Sequence, residues 1–288
     1  DYLWSDGRKK RHSNELAKHI DNPDFWWLIG RYVGDGWIRQ QGGIIICCAK
    51  DELQEITSVA DKLSIGYSVI EERTTYKVHF PTKELSKFVE PFGKGAENKC
   101  IPGYMFDMPS NLIKGFIDGY LSADGCFTNG VFKISSVSRN LIYGTAQLVA
   151  KVYRQPYRIY KNDVLPFKNI EGRTVTQKDS YQLVWKTEKK KQDKAFYEDG
   201  YIWFPINKIE NDMGKVVYGI EVENDHSFTA NGVIAHNCQD LSVAGHQKGI
   251  SKESGTRSGL LWEVERLLTE CCILGPMPDV LIMENVNQ

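Results

Sequence analysis

Two aspartates carry the first chemical possibility in this chain. Asp35 closes the run Gly30-Arg31-Tyr32-Val33-Gly34-Asp35-Gly36, and Asp124 closes Gly119-Tyr120-Leu121-Ser122-Ala123-Asp124-Gly125. In both, small residues four apart precede an Asp-Gly pair, and the two aspartates are 89 residues apart. On a helix, residues four apart stack on one face, so Gly119 and Ala123 let a partner helix approach almost to backbone contact and leave Asp124 at the helix end. Carboxylates are hard oxygen ligands of the kind Mg²⁺ prefers. One such stretch alone reads as a core helix stopped by an Asp-Gly turn, a common C-terminal signal. A second copy makes that reading insufficient.

A different chemistry is possible near the end of the chain, where His226 is followed by His236-Asn237-Cys238. An asparagine can break the bond after it unaided, its side-chain amide nitrogen attacking its own carbonyl to form a succinimide. Histidine titrates near neutral pH, and a cysteine thiolate is a nucleophile. The plain alternative is a hairpin turning at Asn231-Gly232.

The elements that must position these groups follow from periodicity. Phe25 to Val33 has helical length and follows Asn22-Pro23-Asp24, where Asp24 is expected as N-cap. Strand-like runs follow each Asp-Gly: Trp37 to Ala49, turning at Gly42-Gly43, and Phe127 to Val137, turning at Asn129-Gly130. Further strands are expected at Tyr67 to Glu71 with Thr75 to Phe80, and at Arg158 to Tyr160 with Tyr181 to Thr187. Helical patterns lie at Glu52 to Leu63, Thr82 to Val89 and Asn140 to Tyr153. Each copy therefore reads as helix, hairpin, helix, hairpin, helix. The fold class is α+β, with a duplicated αββαββα unit.

Composition narrows the function classes. With 41% hydrophobic and 25% charged residues in 288, the chain is globular rather than disordered. No apolar run approaches the roughly 20 residues of a membrane span, and a cytoplasmic location is the default expectation. Seven cysteines without a C-x-x-C pair argue against a disulfide framework or zinc knuckle. Residues 1–216 hold 32 Lys+Arg against 27 Asp+Glu, while the remainder holds 4 against 10. The basic excess, with Arg8-Lys9-Lys10-Arg11, the run Lys151 to Lys161 and Lys189-Lys190-Lys191, suits phosphates.

The stretches Leu28 to Gly36 and Ile117 to Gly125 resemble the LAGLIDADG homing endonucleases, closely at the small residues and Asp-Gly ends, more loosely at Arg31 and Tyr32. The resemblance implies two helices side by side at a pseudo-twofold axis, each followed by a curved antiparallel sheet that sits in the DNA major groove. Asp35 and Asp124 would meet at the foot of that interface and share Mg²⁺, with carbonyls near Gly34 and Ala123 completing its shell. Two close carboxylates facing phosphates repel one another unless a divalent cation lies between them. Lys99, in Lys99-Cys100-Ile101-Pro102, resembles the family's Lys-x-Ile-Pro block and would stand near the scissile phosphate. Its second-half counterpart lies among Lys189, Lys190, Lys191 and Lys194. The rival from another class is a binding-only protein on the same scaffold, such as an RNA maturase or transcription factor.

Val216 to Cys238 resembles the C-terminal splicing blocks of inteins. This implies that Asn237 cyclises, His236 polarises the scissile carbonyl, His226 assists proton transfer and Cys238 accepts the upstream acyl group. Gly219 stands where the family usually carries Asp. No N-terminal splicing block precedes the endonuclease-like part, so the expectation is a truncated reading or a split arrangement completed in trans by an N-terminal fragment. From Cys238 onward, Cys238 to Gly245, Arg257 to Leu260 and Asp279 to Val286 resemble DNA cytosine-5 methyltransferases. There the Cys thiolate adds to a flipped cytosine and a Glu, here Glu284, contacts its N3. S-adenosylmethionine would serve only the complete host enzyme.

The expected organisation is a basic leading segment (1–24), two repeats (25–110 and 111–206), a splicing segment of Hint type (207–237) and a methyltransferase fragment (238–288). The expected activity is Mg²⁺-dependent cleavage of double-stranded DNA by a monomer. The alternative is a methyltransferase fragment active after splicing or assembly with an N-terminal partner.

Overall fold

The computed structural model describes residues 14–164, 167–170, 173–176, 178–188, 193–208, 227–230 and 232–236. The chain divides into two compact units, Asp1–Pro205 and Ile206–Gln288.

After a single turn, α1 (Asn14–Ala17), the first unit enters α2 (Pro23–Asp35). Its N-cap is Asn22, not Asp24: the Asn22 side-chain oxygen accepts from the Asp24 backbone N–H at 2.9 Å. Pro23 takes the first helical position, where its missing N–H costs nothing. The chain then forms β1 (Gly36–Ile38), β2 (Ile44–Ala49), α3 (Leu53–Lys62), β3 (Ser68–Glu71), β4 (Thr75–Phe80) and α4 (Lys83–Val89). Gly42 and Gly43 turn the first hairpin at φ of 94° and 82°, a region that favours glycine.

The second copy repeats the order with α5 (Ser110–Asp124), β5 (Gly125–Thr128), β6 (Val131–Ser136), α6 (Arg139–Tyr153) and β7 (Tyr157–Asn162). It then departs from expectation. A further hairpin, β8 (Phe167–Ile170) with β9 (Arg173–Thr176), intervenes before β10 (Ser180–Lys186). Among the described residues no helix follows β10; β11 (Phe196–Glu198) pairs with β12 (Tyr201–Trp203) instead. This region is rich in aromatic residues, which fit the pleated surface of a strand better than a helix.

Despite that insertion the two sheets have one topology. Their antiparallel orders are β1-β2-β4-β3 and β5-β6-β10-β7, so β3 corresponds to β7 and β4 to β10. One face of each sheet supplies core side chains, including Ile44, Ile46, Val78 and Phe80 in the first and Ile134, Leu183 and Trp185 in the second, all essentially inaccessible. Helices α2 and α5 add Phe25, Leu28, Ile29, Ile113, Phe116 and Ile117. In the second unit, β13 (Ser227–Ala230) and β14 (Val233–His236) form the expected hairpin, Ser227 opposite His236, with Gly232 in the turn at φ 81°.

Candidate active site

The site begins with the seam between α2 and α5. A methyl group added to Gly30 would overlap the Phe116 carbonyl oxygen, and one added to Gly119 would overlap the Trp27 carbonyl oxygen. Position 30 corresponds to 119 and 27 to 116 under the 89-residue repeat, so these are the same contact made twice. Further contacts run Pro23 to Gly115 at one end and Gly34 to Ala123 at the other. Both members of each pair advance along the chain together, so the helices are parallel and end side by side. The two aspartates therefore emerge at the same end of one helix pair.

Each helix end leaves carbonyls without an intrahelical donor, and two buried cations serve them. Lys99 Nζ donates to the carbonyls of Val33, Gly34 (3.0 Å) and Gly36 (3.3 Å) at the end of α2. Lys99 is held from the second copy: Ser138, the N-cap of α6, donates its hydroxyl to the Lys99 carbonyl at 2.6 Å. On the other side, Arg31 Nη1 donates to the Ser122 carbonyl near the end of α5. Under the repeat, Ser122 corresponds to Val33. The same helix-end carbonyl thus receives a lysine in one half and an arginine in the other. Arg31 is fully buried, and its Nη2 also binds Glu52 and lies 3.3 Å from Asp35 Oδ2. Glu52 is fixed by the Ala49 N–H at 3.0 Å.

These neighbours set the electrostatics. Burial pushes the Asp35 carboxyl up, while the charge of Arg31 and, more weakly, Lys99 pull it back down. Asp124 is pushed up to about 6, by burial first and by the charge of Asp35 second. Burial pulls the Lys99 ammonium down against the opposing pull of Asp124 and Asp35. Both aspartates feel Arg31 and Lys99, and Lys99 feels both aspartates, as expected of a compact charged site.

The outer sheet faces form the surface flanking this site. Cross-strand partners in an antiparallel sheet point to one face. The first outer face therefore carries Trp37 beside Ile45, and Cys47 beside Lys77, with His79 opposite Ile45. The second carries Lys133, Val184 and Arg158 in one row and Ser135, Gln182 and Tyr160 in the next. This row of donors is what base edges and phosphates require. Of the basic runs expected from sequence, Lys151 to Lys161 contributes Arg158 to this row. Within Lys151 to Lys161, Lys151 donates to the carbonyls of Phe106 and Met108, and Lys161 is paired with Asp163 and Asp179. Arg8 to Arg11 and Lys189 to Lys191 lie outside the described residues.

Of the expected site residues, Asp35, Asp124, Lys99, Gly34 and Ala123 come together. Gly34 offers a carbonyl already bound by Lys99, though a carbonyl oxygen has a second lone pair. His226, Asn237, Cys238, Glu284 and the side chain of His236 lie outside the described residues, as does Gly219. Arg31 and Glu52 were missed. The available signal was a charged residue in the middle of an otherwise apolar helix.

The sequence profile of the family "C-5 cytosine-specific DNA methylase" matches residues 167–288. That range begins in β8, although β10 is hydrogen-bonded between β6 and β7 and so belongs to the first unit. A DNA polymerase of Thermococcus hydrothermalis is 27% identical over 248 residues, 74% of this chain and 15% of that protein. An iron-sulfur cluster assembly SufBD family protein of Mycobacterium bovis is 25% identical over 231 residues, 75% of this chain and 27% of that protein. The orphan methyltransferase M.SssI of Spiroplasma monobiae is 57% identical over 50 residues, 17% of this chain and 13% of that protein. The chain thus spans only a small part of these relatives. Among solved structures, I-DmoI in complex with DNA and Mn is 14% identical, with 57% of this chain and 89% of that chain covered and a TM-score of 0.39.

Proposed function

We propose that the first unit is a Mg²⁺-dependent double-strand DNA endonuclease of LAGLIDADG type, carried within an intein that interrupts a DNA cytosine-5 methyltransferase at Cys238. The observation that supports the nuclease most directly is the emergence of Asp35 and Asp124 at one end of a parallel, glycine-seamed helix pair, each leading into its own four-stranded sheet.

The donor set fits a divalent cation. Mg²⁺ uses one or two carboxylates and keeps its waters, which two aspartates at one helix end can provide. Asp35 and Asp124 would hold it, with helix-end carbonyls at Gly34 and Ala123 nearby. When bound, the ion would supply an activated water and charge neutralisation at the leaving oxygen. The chain's own groups do the rest. Lys99 fixes the end of α2 and brings a positive charge to the phosphate, and Arg31 does the same for the end of α5. Lys133 and Arg158 attract the backbone, while Gln182, Ser135 and His79 face base edges. In hydrolysis, an oxygen of water bonds to phosphorus, the bond to the 3′ oxygen breaks, and the proton of water passes to that oxygen or to solvent.

The intein reading is favoured by a separate observation. Three quarters of this chain aligns with a polymerase and with an iron-sulfur assembly protein, whose named activities have nothing in common, and each time the alignment occupies a small part of the relative. A mobile insertion explains such a pattern. The short, highly identical match to a methyltransferase is then the host. Asn237, His236, His226 and Cys238 keep their proposed splicing roles, and Glu284 its role in the restored host enzyme with S-adenosylmethionine.

The test is incubation with Mg²⁺ and a duplex carrying the uninterrupted methyltransferase codons around Cys238. Double-strand cleavage is expected, abolished in Asp35→Asn and Asp124→Asn. Intact DNA with binding preserved would favour the binding-only reading.

A further inference from the structure

The two sheets share one topology, so their outer faces can be compared place by place. Trp37 and Cys126 each lie two residues beyond an aspartate and open their faces. From there the strand pairing matches Ile45 with Lys133, His79 with Val184 and Ser68 with Arg158 in one row. In the next row Cys47 matches Ser135, Lys77 matches Gln182 and Ile70 matches Tyr160. The fold is repeated and the chemistry is not. Where the second face carries exposed Lys133 and Arg158, the first carries Ile45 and Ser68. Ile45 lies between the core residues Ile44 and Ile46 but outside their cluster, and it is only 7% accessible beside Trp37, which is 41% accessible. Ile70 is a further exposed apolar side chain on this face. The cations of the first face are engaged or peripheral. Lys77 is paired with Glu72, with its Nζ 5.8 Å from the centre of the Trp37 ring. Arg39 lies past the end of β1, its Nη1 3.5 Å from Nε2 of His79, the polar exception in the first row.

An apolar strip continuous with the candidate metal site faces whatever substrate that site receives. On its major-groove base edges, duplex DNA offers one apolar group, the C5-methyl of thymine. Phosphates and polar base edges require the opposite kind of partner, cations and hydrogen-bonding side chains. We propose that the two sheets read one duplex by different means. The first packs thymine methyl groups against Trp37 and the neighbouring edge of Ile45. The second binds phosphates and polar base edges through Lys133, Arg158, Ser135 and Gln182. The two half-sites therefore differ in what they tolerate: one is sensitive to loss of a methyl group, the other to salt. This assignment rests on the nuclease reading for the presence of a duplex, and its test reads binding rather than cleavage.

The experiment is fluorescence anisotropy of labelled duplexes binding to the full chain in EDTA, which removes divalent cations. The duplex carries the uninterrupted methyltransferase codons around Cys238, with deoxyuridine replacing thymidine in the left half, the right half or neither. That replacement removes methyl groups and leaves every hydrogen-bonding group in place. One half is expected to lose at least about fourfold in affinity, the worth of one buried methyl, and the other less than about twofold. Trp37→Ala, with its folding verified by circular dichroism, is expected to abolish that difference and to leave the salt dependence of binding unchanged. Lys133→Gln keeps the difference and lowers the salt slope by about 1. Equal losses in the two halves, or no loss in either, overturn the proposal, as does a folded Trp37→Ala that keeps the difference. If Trp37→Ala does not fold, the two half-substituted duplexes decide alone. Unequal losses without cleavage once Mg²⁺ is restored sink the nuclease reading and leave this assignment standing. Cleavage with equal losses sinks this assignment alone, and absence of any duplex binding overturns both.

Discussion

At the scale of single residues, Asp124 is the group whose behaviour should be easiest to see. Its carboxyl is pushed up to about 6 from an ordinary 3.8, by burial and then by Asp35. The folded-state value is the higher one, so the folded protein holds this proton more tightly than the unfolded chain does. Without divalent cation, the stabilisation linked to Asp124 is present at low pH and is lost as pH rises through about 4 to 6. The part of Asp124 that remains exposed to solvent softens the effect. Asp124→Asn, which cannot ionise, is expected to gain in urea midpoint relative to the wild type as pH rises across that window in EDTA, and Mg²⁺ should favour the charged form and shift the titration down. An NMR titration of Asp124 near 4 would refute it. Lys99 and Arg31 belong to the same level: each is a buried cation whose cost of burial is offset by helix-end carbonyls and by the aspartates.

At the scale of elements, the helix seam decides where the aspartates can be. Gly30 and Gly119 each face a backbone carbonyl of the opposite helix, an atom that cannot move aside as a flexible side chain can. Gly30→Ala and Gly119→Ala are therefore expected to destabilise the chain by about 2–4 kcal/mol each, above the usual range for overpacking of about 1–3 kcal/mol because backbone must shift. The repeat makes the two effects similar, and the shared seam makes the double variant less destabilised than their sum, since the first change already separates the helices. Chemical denaturation of the three variants measures both features. Gly66, by contrast, has open space around its Cβ position and serves as the control: Gly66→Ala should cost little.

At the scale of the whole molecule, the first unit carries the candidate nuclease site and the second carries a hairpin whose last residue, His236, precedes Asn237 and Cys238. The opposite charge balance of the two stretches, basic before residue 217 and acidic after it, matches a DNA-facing part followed by segments with other duties. If Asn237 cyclises, incubation of the purified chain should slowly release residues 238–288, leaving a fragment whose C-terminal mass is that of a succinimide or its hydrolysis product. Asn237→Ala should stop that release without altering DNA cleavage. Mass spectrometry of both proteins over time is the check; release from Asn237→Ala at the same bond would exclude the cyclisation.

Much of the first unit was legible from local pattern. Alternation marked the strands and small residues four apart marked the seam, because those signals depend on neighbours along the chain. The hairpin turns at Gly42-Gly43 and Asn129-Gly130 were found where the chain needs positive φ. The N-cap was misplaced by two residues because Asn22 and Asp24 are both good caps, and only Pro23 at the first helical position decides between them. The β8–β9 hairpin was missed because an insertion does not follow from the repeat, and among the described residues no closing helix follows β10. Sequence by itself determined the duplication, the pair of aspartates and the candidate lysine, all of which are matters of residue type and spacing. Only the tertiary structure could decide that Lys99 and Arg31 serve corresponding carbonyls of opposite helices. Those partners lie 66 and 91 positions away, and an arginine in an apolar helix reveals its role only when the second helix end comes to meet it.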